Sequence, residues 1–482
     1  MADTVSSVAS DTRAITEWNP EDPKAWSSRQ AWLTLWVTTF SLILGFMVWY
    51  MVSVIAPMLQ NGGIVDKSHA FWLTAMPGLA GGLLRLVWMF FPPILGTKKM
   101  VAWSTVALIL PMAGWLWLLM GIKDGWAPSF GLMIVLALLT GIGGGIFSGY
   151  MPSTSYFFPK AKQGVALGLQ AGIGNFGVAV VQLLTPILVT VAVFGTSRGL
   201  GQGKKADGSP KPIVYLQTAP AFVIILLIIA AVLAFVLLKS VPIKANFRQQ
   251  VDIFGNKHTW LMTLIYLLTF GCFSGLAGVF GLMLNNMVLH VPTLTATGPL
   301  AATTIAFLGA LTGSASRVIF GPLCDKFGGA IWTLVSALGI AVSAVIVIIA
   351  LSQTKTIDPL PKSGAMCTVS LPMFLTGMLL LFFFAGVGNA ATFKQMPMIF
   401  PPRQAGGVIG WTAAIAAFGP FIFSVAINAL TGAGTGAAKT VVGGANFGTH
   451  CVPVFVAVLI LALVCAVIDW WFYARPGAEA KS

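Results

Sequence analysis

The sequence predicts an all-α integral membrane protein in which twelve spanning helices form two pseudo-symmetric six-helix halves. Three observations carry this expectation. Of 482 residues, 57% are hydrophobic and only 8% are charged, a balance that in water would leave most of the apolar surface exposed. Runs of about twenty apolar residues, each long enough to cross roughly 30 Å of hydrocarbon, recur along the whole chain. The second half also repeats landmarks of the first at a nearly constant spacing.

The spans read as residues 30–58, 71–96, 101–122, 129–158, 164–195 and 216–239, then 259–288, 299–323, 330–351, 368–399, 405–430 and 451–474. They divide the chain into an N-terminal segment 1–29, a six-helix bundle 30–239, a linker 240–257, a second bundle 258–474 and a tail 475–482. The segment before Trp26 is polar and acidic. It lacks the basic start and short apolar core of a cleavable signal, so the first apolar run is expected as helix one.

The formal net charge is +14, yet the bases are spread through the loops between spans rather than gathered in a patch for nucleic acid. With both ends placed on the cytoplasmic side, fifteen Lys and Arg fall there and nine on the other side. The excess predicts both termini inside. Five cysteines, Cys272, Cys324, Cys367, Cys451 and Cys465, have no metal-ligand spacing and are expected to pack in the core. Cys367 and Cys451 open helices on one side, which leaves a bridge between them open. The four histidines lie in loops or at helix ends, and no GxxxxGK[ST] loop occurs, so neither a membrane enzyme nor ATP drive from this chain is expected. No cofactor is implied.

After the fourth span the chain reads Phe158-Pro159, then Gly168, Ala171, Ile173, Phe176 and Gly177. After the tenth it reads Phe400-Pro401, then Gly410, Ala413, Ile415, Phe418 and Gly419, each pair 242 positions apart. Gly81, Arg85 and Gly96 match Gly313, Arg317 and Gly328 at an offset of 232. A transporter built from such halves places its site near the midplane, where they meet.

Arg85 (GGLLRLVWMFF) and Arg317 (GSASRVIFG) lie inside apolar runs at matched repeat positions. A central arginine costs about 2.5–3.5 kcal/mol on insertion scales and ordinarily faces a cavity or a partner. Arg317, six residues from its expected helix end, could also snorkel to the surface. Every Asp and Glu falls in a tail, a loop or a helix end, Asp469 coming nearest to a core. No intramembrane acid is thus expected to neutralise the arginines, and the counter-charge is read as the substrate itself, an anion. Lys394 (GNAATFKQMP) is a third buried base. It either snorkels or, facing the cavity, attracts anions or serves as the titrating group for proton coupling. In the fifth span Gly164, Gly168, Gly172, Gly174 and Gly177 admit a close neighbour, and Asn175 and Gln182 offer amides either to an oxyanion or to another helix.

The stretch GPLCDKFGG, from Gly321 to Gly329, resembles the G-x-L-x-D-[RK]-x-G-[RG] loop motif of the major facilitator superfamily. The resemblance implies that Asp325 and Lys326 serve conformational switching. In the first-half copy Pro93 stands where the repeat predicts the acid.

More specifically, KQGVALGLQAGIGNFGVAVVQLLTP resembles the signature of NarK-type nitrate/nitrite porters. GGLLRLVWMFFPPILG resembles their second helix and EWNPEDPKAW their N-terminus. That resemblance implies an anion held by Arg85 and Arg317, enclosed by Phe147 and Phe393, with polar contacts from Asn175 and Tyr266. A slot between rings suits a planar trigonal ion better than a tetrahedral one. It implies nitrate and nitrite as substrates, the lipid bilayer as surroundings, a bacterial inner membrane as location, and a monomer with no obligate protein partner. The eleventh span departs from the family, reading GVIGWTAAIAAFGPF with Ala in place of several glycines and no Asn, which predicts an asymmetric site. Nitrate/nitrite exchange is the expected mechanism. The alternatives are proton-coupled nitrate symport through Lys394 and, from a different class, an anion channel.

Overall fold

The fold is that of a computed structural model describing residues 14–15, 17–122, 126, 128–203, 210–242, 252–287, 305–352, 355–357, 366–368, 371–431 and 447–482. Among these, twelve helices are long and apolar enough to span a bilayer. In the first half they are α1 Ser28–Asn61, α2 Lys67–Trp88, α3 Phe91–Gly121, α4 Phe130–Ser155, α5 Lys160–Leu188 and α6 Thr218–Leu237. The second half holds α7 Lys257–Asn286, α8 Phe307–Phe327, α9 Gly329–Ser352, α10 Pro372–Ile399, α11 Gln404–Leu430 and α12 Phe447–Ala474. A short hairpin, β1 Lys355–Ile357 with β2 Met366–Thr368, connects α9 to α10.

Where starts and stops are encoded locally, side chains cap the helices. Ser27, Asp66 and Asn256 accept from the backbone N–H of Gln30, His69 and His258 at the beginnings of α1, α2 and α7. The expected second span, 71–96, keeps right-handed backbone past Trp88, through Met89 and Phe90, with only a local irregularity ahead of Pro92 and Pro93, which have no N–H to give. The chain turns where expected, at Gly96, with φ 70° and ψ 162°. Its repeat mate Gly328 ends α8 at φ 90° and ψ 148°. Both sit in a region that only glycine enters without strain, so the repeat seen in sequence is a repeat of backbone geometry.

An even number of spans brings residues 17–27 and 475–482 to one end of the bundle, the terminal end. There the indoles of Trp18 and Trp26 donate to the carbonyls of Tyr156 and Phe157 at 3.0 and 2.9 Å, and Glu21 accepts from the Lys160 N–H at 2.8 Å. The EWNPEDPKAW segment is thus a clasp over the α4–α5 connection, packed on the buried Phe157 and Phe158.

The halves meet chiefly through α2 with α11 and α5 with α8, and also through α1 with α7. Tyr50 donates to the Ser274 carbonyl at 2.8 Å, and the hydroxyls of Thr74 and Ser424 lie 3.0 Å apart. At the end opposite the termini, Gln60 and Asn286 exchange amide hydrogen bonds at 2.8 and 3.3 Å, and Asn61 and Asn285 do so at 3.0 and 3.3 Å. This crossed pairing is what a two-fold axis between α1 and α7 demands.

Cys272, Cys324, Cys451 and Cys465 are buried free thiols. With Cys451 free, the bridge left open in the sequence is not made. The Cys367 side chain, residues 243–251 of the linker and residues 1–13 lie outside the described residues.

Candidate functional site

Arg85 is the largest charged side chain without solvent contact, at 0% exposure. It lies on α2 about one turn before the irregularity at Met89 and Phe90, and right-handed backbone carries on from there to the kink at Gly96. The burial of Arg85 comes from its neighbours. Nε donates to the Gly144 carbonyl of α4 at 2.9 Å and Nη1 to the Ala413 carbonyl of α11 at 2.6 Å, the latter across the boundary between halves. The guanidinium carbon lies 4.6 Å from the Phe147 ring centroid, 5.1 Å from Phe270 and 5.3 Å from Trp49. Three aromatic faces offset part of the desolvation that a carboxylate would otherwise compensate. Nη2 has no hydrogen-bond partner.

Arg317 on α8 is 3% exposed, so it does not snorkel. Its guanidinium carbon lies 4.7 Å from the Phe393 centroid, and neither Nη1 nor Nη2 has a hydrogen-bond partner. Among the described residues neither arginine has an ion-pair partner. Arg85 is thus anchored by two carbonyls while Arg317 keeps both Nη atoms without an acceptor among the described residues. α11 is also broken at Ala417–Phe418, ahead of Pro420, whereas α5 runs unbroken.

Phe147 and Phe393 join the two arginines. Their centroids are 6.4 Å apart at an interplanar angle of 72°. The rings therefore touch edge to face, and a planar ion between parallel rings requires one of them to turn. Tyr266 packs on Phe393 at 5.3 Å and stacks on Phe270 at 5.5 Å and 5°. That parallel stack follows from a π-helical turn, Leu267–Gly271, which widens the middle of α7. The Tyr266 hydroxyl is buried beside the Arg317 guanidinium, with no partner of good hydrogen-bond geometry among the described residues.

Asn175 is fully buried on α5 with neither amide atom hydrogen-bonded. Gln182, two turns on, is committed elsewhere, because its Nε2 donates to the Ala277 carbonyl at 2.8 Å and ties α5 to α7. The glycines of α5 do not share one neighbour. Gly174 and Gly177 abut α1 at Leu42 and Ile43, Gly172 abuts Val318 of α8, and at Gly164 and Gly168 an added Cβ would meet nothing. In α11 Gly419 abuts Gly271 of α7, while Gly410 has only Met89 nearby.

Lys394 follows Phe393 in sequence but turns away from the ring cluster. Its Nζ lies 2.6 Å from Asp325 Oδ1, both side chains being partly exposed. Of the two readings left open for Lys394, the partly exposed pair with Asp325 fits a side chain reaching toward the helix end rather than the ring cluster. Lys326 extends over the Phe327 ring, 5.2 Å from its centroid. Asp469, expected at a helix end, is fully buried and accepts from Gln395 Nε2 at 3.0 Å.

A family model described as Major Facilitator Superfamily matches residues 38–360. The chain belongs to the Major Facilitator Superfamily. Within it the chain is a member of the NarK-type nitrate/nitrite porter family. It is 49% identical over 96% of its length to a Thermus thermophilus protein named as a probable nitrate/nitrite antiporter, NarK2, of which it covers 97%. It is 31% identical over 97% to the Escherichia coli nitrate/nitrite transporter NarU, again covering 97% of that chain. Among solved structures, a bacterial homologue of the human lysosomal transporter Spinster superposes with a TM-score of 0.63 at 15% identity, covering 92% of this chain and 97% of that one. At that identity the likeness shows the superfamily fold alone.

For this superfamily member, sequence reasoning missed Trp49, Phe270 and the carbonyls of Gly144 and Ala413 around Arg85. Trp49 and Phe270 had no signal among 16 tryptophans and 33 phenylalanines. The GIGGGI run did carry one. It makes α4 irregular at Gly141 and Ile146 and lets Trp49 approach Gly144.

Proposed function

We propose that the chain is a secondary active transporter that exchanges nitrate for nitrite by alternating access between its two halves. The observation that carries this reading is the pair of buried arginines, one from each half, whose three free Nη atoms have neither an acceptor nor a carboxylate. Uncompensated buried cations call for an anion. The names of the two relatives, an antiporter and a nitrate/nitrite transporter, agree in the substrate.

In this reading Arg85, held by two carbonyls, is the fixed jaw and Arg317 the jaw that closes. Phe147 and Phe393 wall the ion, and Tyr266 and Asn175 donate to its remaining oxygens. Without an anion the two guanidinium groups repel across a low-dielectric centre, so the empty carrier switches slowly and the loaded one readily. That difference couples inward nitrate to outward nitrite. The terminal end is cytoplasmic in a bacterial inner membrane, and the protein works as a monomer. Proton-driven uptake through Lys394 has no support in its surroundings, since Asp325 already engages the ammonium.

The test is uptake of labelled nitrate into proteoliposomes, with and without internal nitrite, at clamped potential and without a proton gradient. Uptake that requires internal nitrite is expected. Uptake only after an inward proton gradient is imposed would replace exchange by symport, and no uptake under either condition would overturn the substrate.

A further inference from the structure

α10 carries a polar side chain that the reading above does not use. Asn389 is fully buried, and neither its Oδ1 nor its Nδ2 has a hydrogen-bond partner among the described residues. Other polar groups of this helix are satisfied: Thr392 donates to the Gly388 carbonyl at 2.8 Å, and Gln395 bonds Thr333 at 2.6 Å and Asp469 at 3.0 Å. A buried amide with both ends unpaired is rare in folded proteins and calls for an absent partner.

Two independent placements say where that partner lies. Residues 382, 389 and 393 fall on one face of a helix. Phe382 packs on Phe273 and Phe280 of α7, and Phe393 on Tyr266 of α7, on Arg317 and on Phe147. Asn389 thus lies one turn from Phe393 on the face of α10 that meets α7 and the arginines. The repeat gives the same address. The offset of 242 that pairs Phe158 with Phe400 also pairs Phe147 with Asn389. Phe147 is the ring that covers Arg85, so the pseudo-two-fold carries Asn389 to the Arg317 side.

We infer that Asn389 is an anion-binding residue whose Nδ2–H donates to an oxygen of the ion held by Arg317. The inference rests on the transport reading above and deepens it. With Asn389 included, the buried donor atoms proposed for the ion that lack a partner among the described residues are Arg85 Nη2, Arg317 Nη1 and Nη2, Tyr266 Oη, Asn175 Nδ2 and Asn389 Nδ2. Nitrate offers three oxygens with two acceptor directions each, enough for all of them. The amide oxygen of Asn389 is left to accept from a guanidinium N–H that the ion does not use.

The test is thermal unfolding of the purified full-length protein titrated with sodium nitrate, with sodium gluconate as the salt control. A ligand that binds only the folded state raises Tm with concentration. Asn389→Leu, close in volume and without polar atoms, is expected to match or exceed the wild-type Tm in gluconate, because it removes an unpaired group. The nitrate concentration giving half of the stabilisation should rise at least tenfold. Asn389→Ala, which introduces no new contact, should shift that concentration in the same direction if the leucine variant does not fold. Unchanged nitrate half-saturation in a folded variant would overturn the assignment, as would a lowered gluconate Tm with intact nitrate response, which marks a structural amide. Wild-type protein that nitrate does not stabilise would instead remove the transport reading, and the assignment with it.

Discussion

The Lys394 ammonium sits 2.6 Å from the Asp325 carboxylate and joins the end of α10 to the end of α8. Asp325 belongs to the GPLCDKFGG stretch, and Phe393, adjacent to Lys394, packs on Arg317. The pair therefore links the last turn of α8 to the candidate anion site through one residue of α10. Lys394→Gln and Asp325→Asn should each slow nitrate/nitrite exchange several-fold while leaving the nitrate KM within about twofold. Asp325→Lys combined with Lys394→Asp should recover part of the rate. Initial rates of counterflow check this, and a tenfold rise in KM for Lys394→Gln would return that lysine to the binding site.

The two arginines are held differently, and their conservative variants should differ accordingly. Arg85→Lys loses bonds to Gly144 and Ala413 as well as a planar fork for the anion, each charged hydrogen bond contributing roughly 1.5–3 kcal/mol. It should lower both Tm and nitrate affinity, the latter at least tenfold. Arg317→Lys has no protein hydrogen bond at Nη to lose, so nitrate affinity should fall by a similar factor with little change in Tm. Thermal unfolding with and without nitrate separates the two outcomes.

The crossed amide pairs Gln60–Asn286 and Asn61–Asn285 close the end opposite the termini. A neutral hydrogen bond contributes about 1 kcal/mol net, so removing one reciprocal pair should shift the balance toward opening at that end by roughly fivefold or more. Asn286→Ala is the variant of choice. Spin-label distances between the ends of α1 and α7 should gain a longer component, and an unchanged distribution would show that the pairs do not restrain opening.

Phe147 and Phe393 meet edge to face, and a flat ion is accommodated only when one ring turns. Phe393→Ala should remove the planar constraint. Competition by tetrahedral perchlorate against nitrate uptake should then strengthen about tenfold over that expected for the wild type. Competition assays in proteoliposomes measure the ratio directly.

Much of this was legible before any coordinates. The twelve spans follow from apolar run length, and the repeat from glycine and arginine spacing. The choice of Arg85 and Arg317 follows from the cost of charge in an apolar run. Alternatives stayed open in the sequence where several elements act together. Gln182 and Lys394 look alike in sequence, as polar groups in apolar runs, yet one bonds a backbone carbonyl of α7 and the other a carboxylate at the end of α8. Nothing within a single helix distinguishes a side chain facing the site from one facing a neighbour.

The sequence by itself determined the solvent, the number of helices, the two-fold plan and the sign of the charge at the centre, because each depends on local composition or on spacing along the chain. Tertiary structure decided which donors are left free. The packing of α2 against α4 and α11 brings carbonyls to Arg85, while Arg317, Tyr266, Asn175 and Asn389 keep donors without partners among the described residues. Hydrogen-bond satisfaction depends on where atoms from distant segments meet, and no stretch of the sequence holds that information alone.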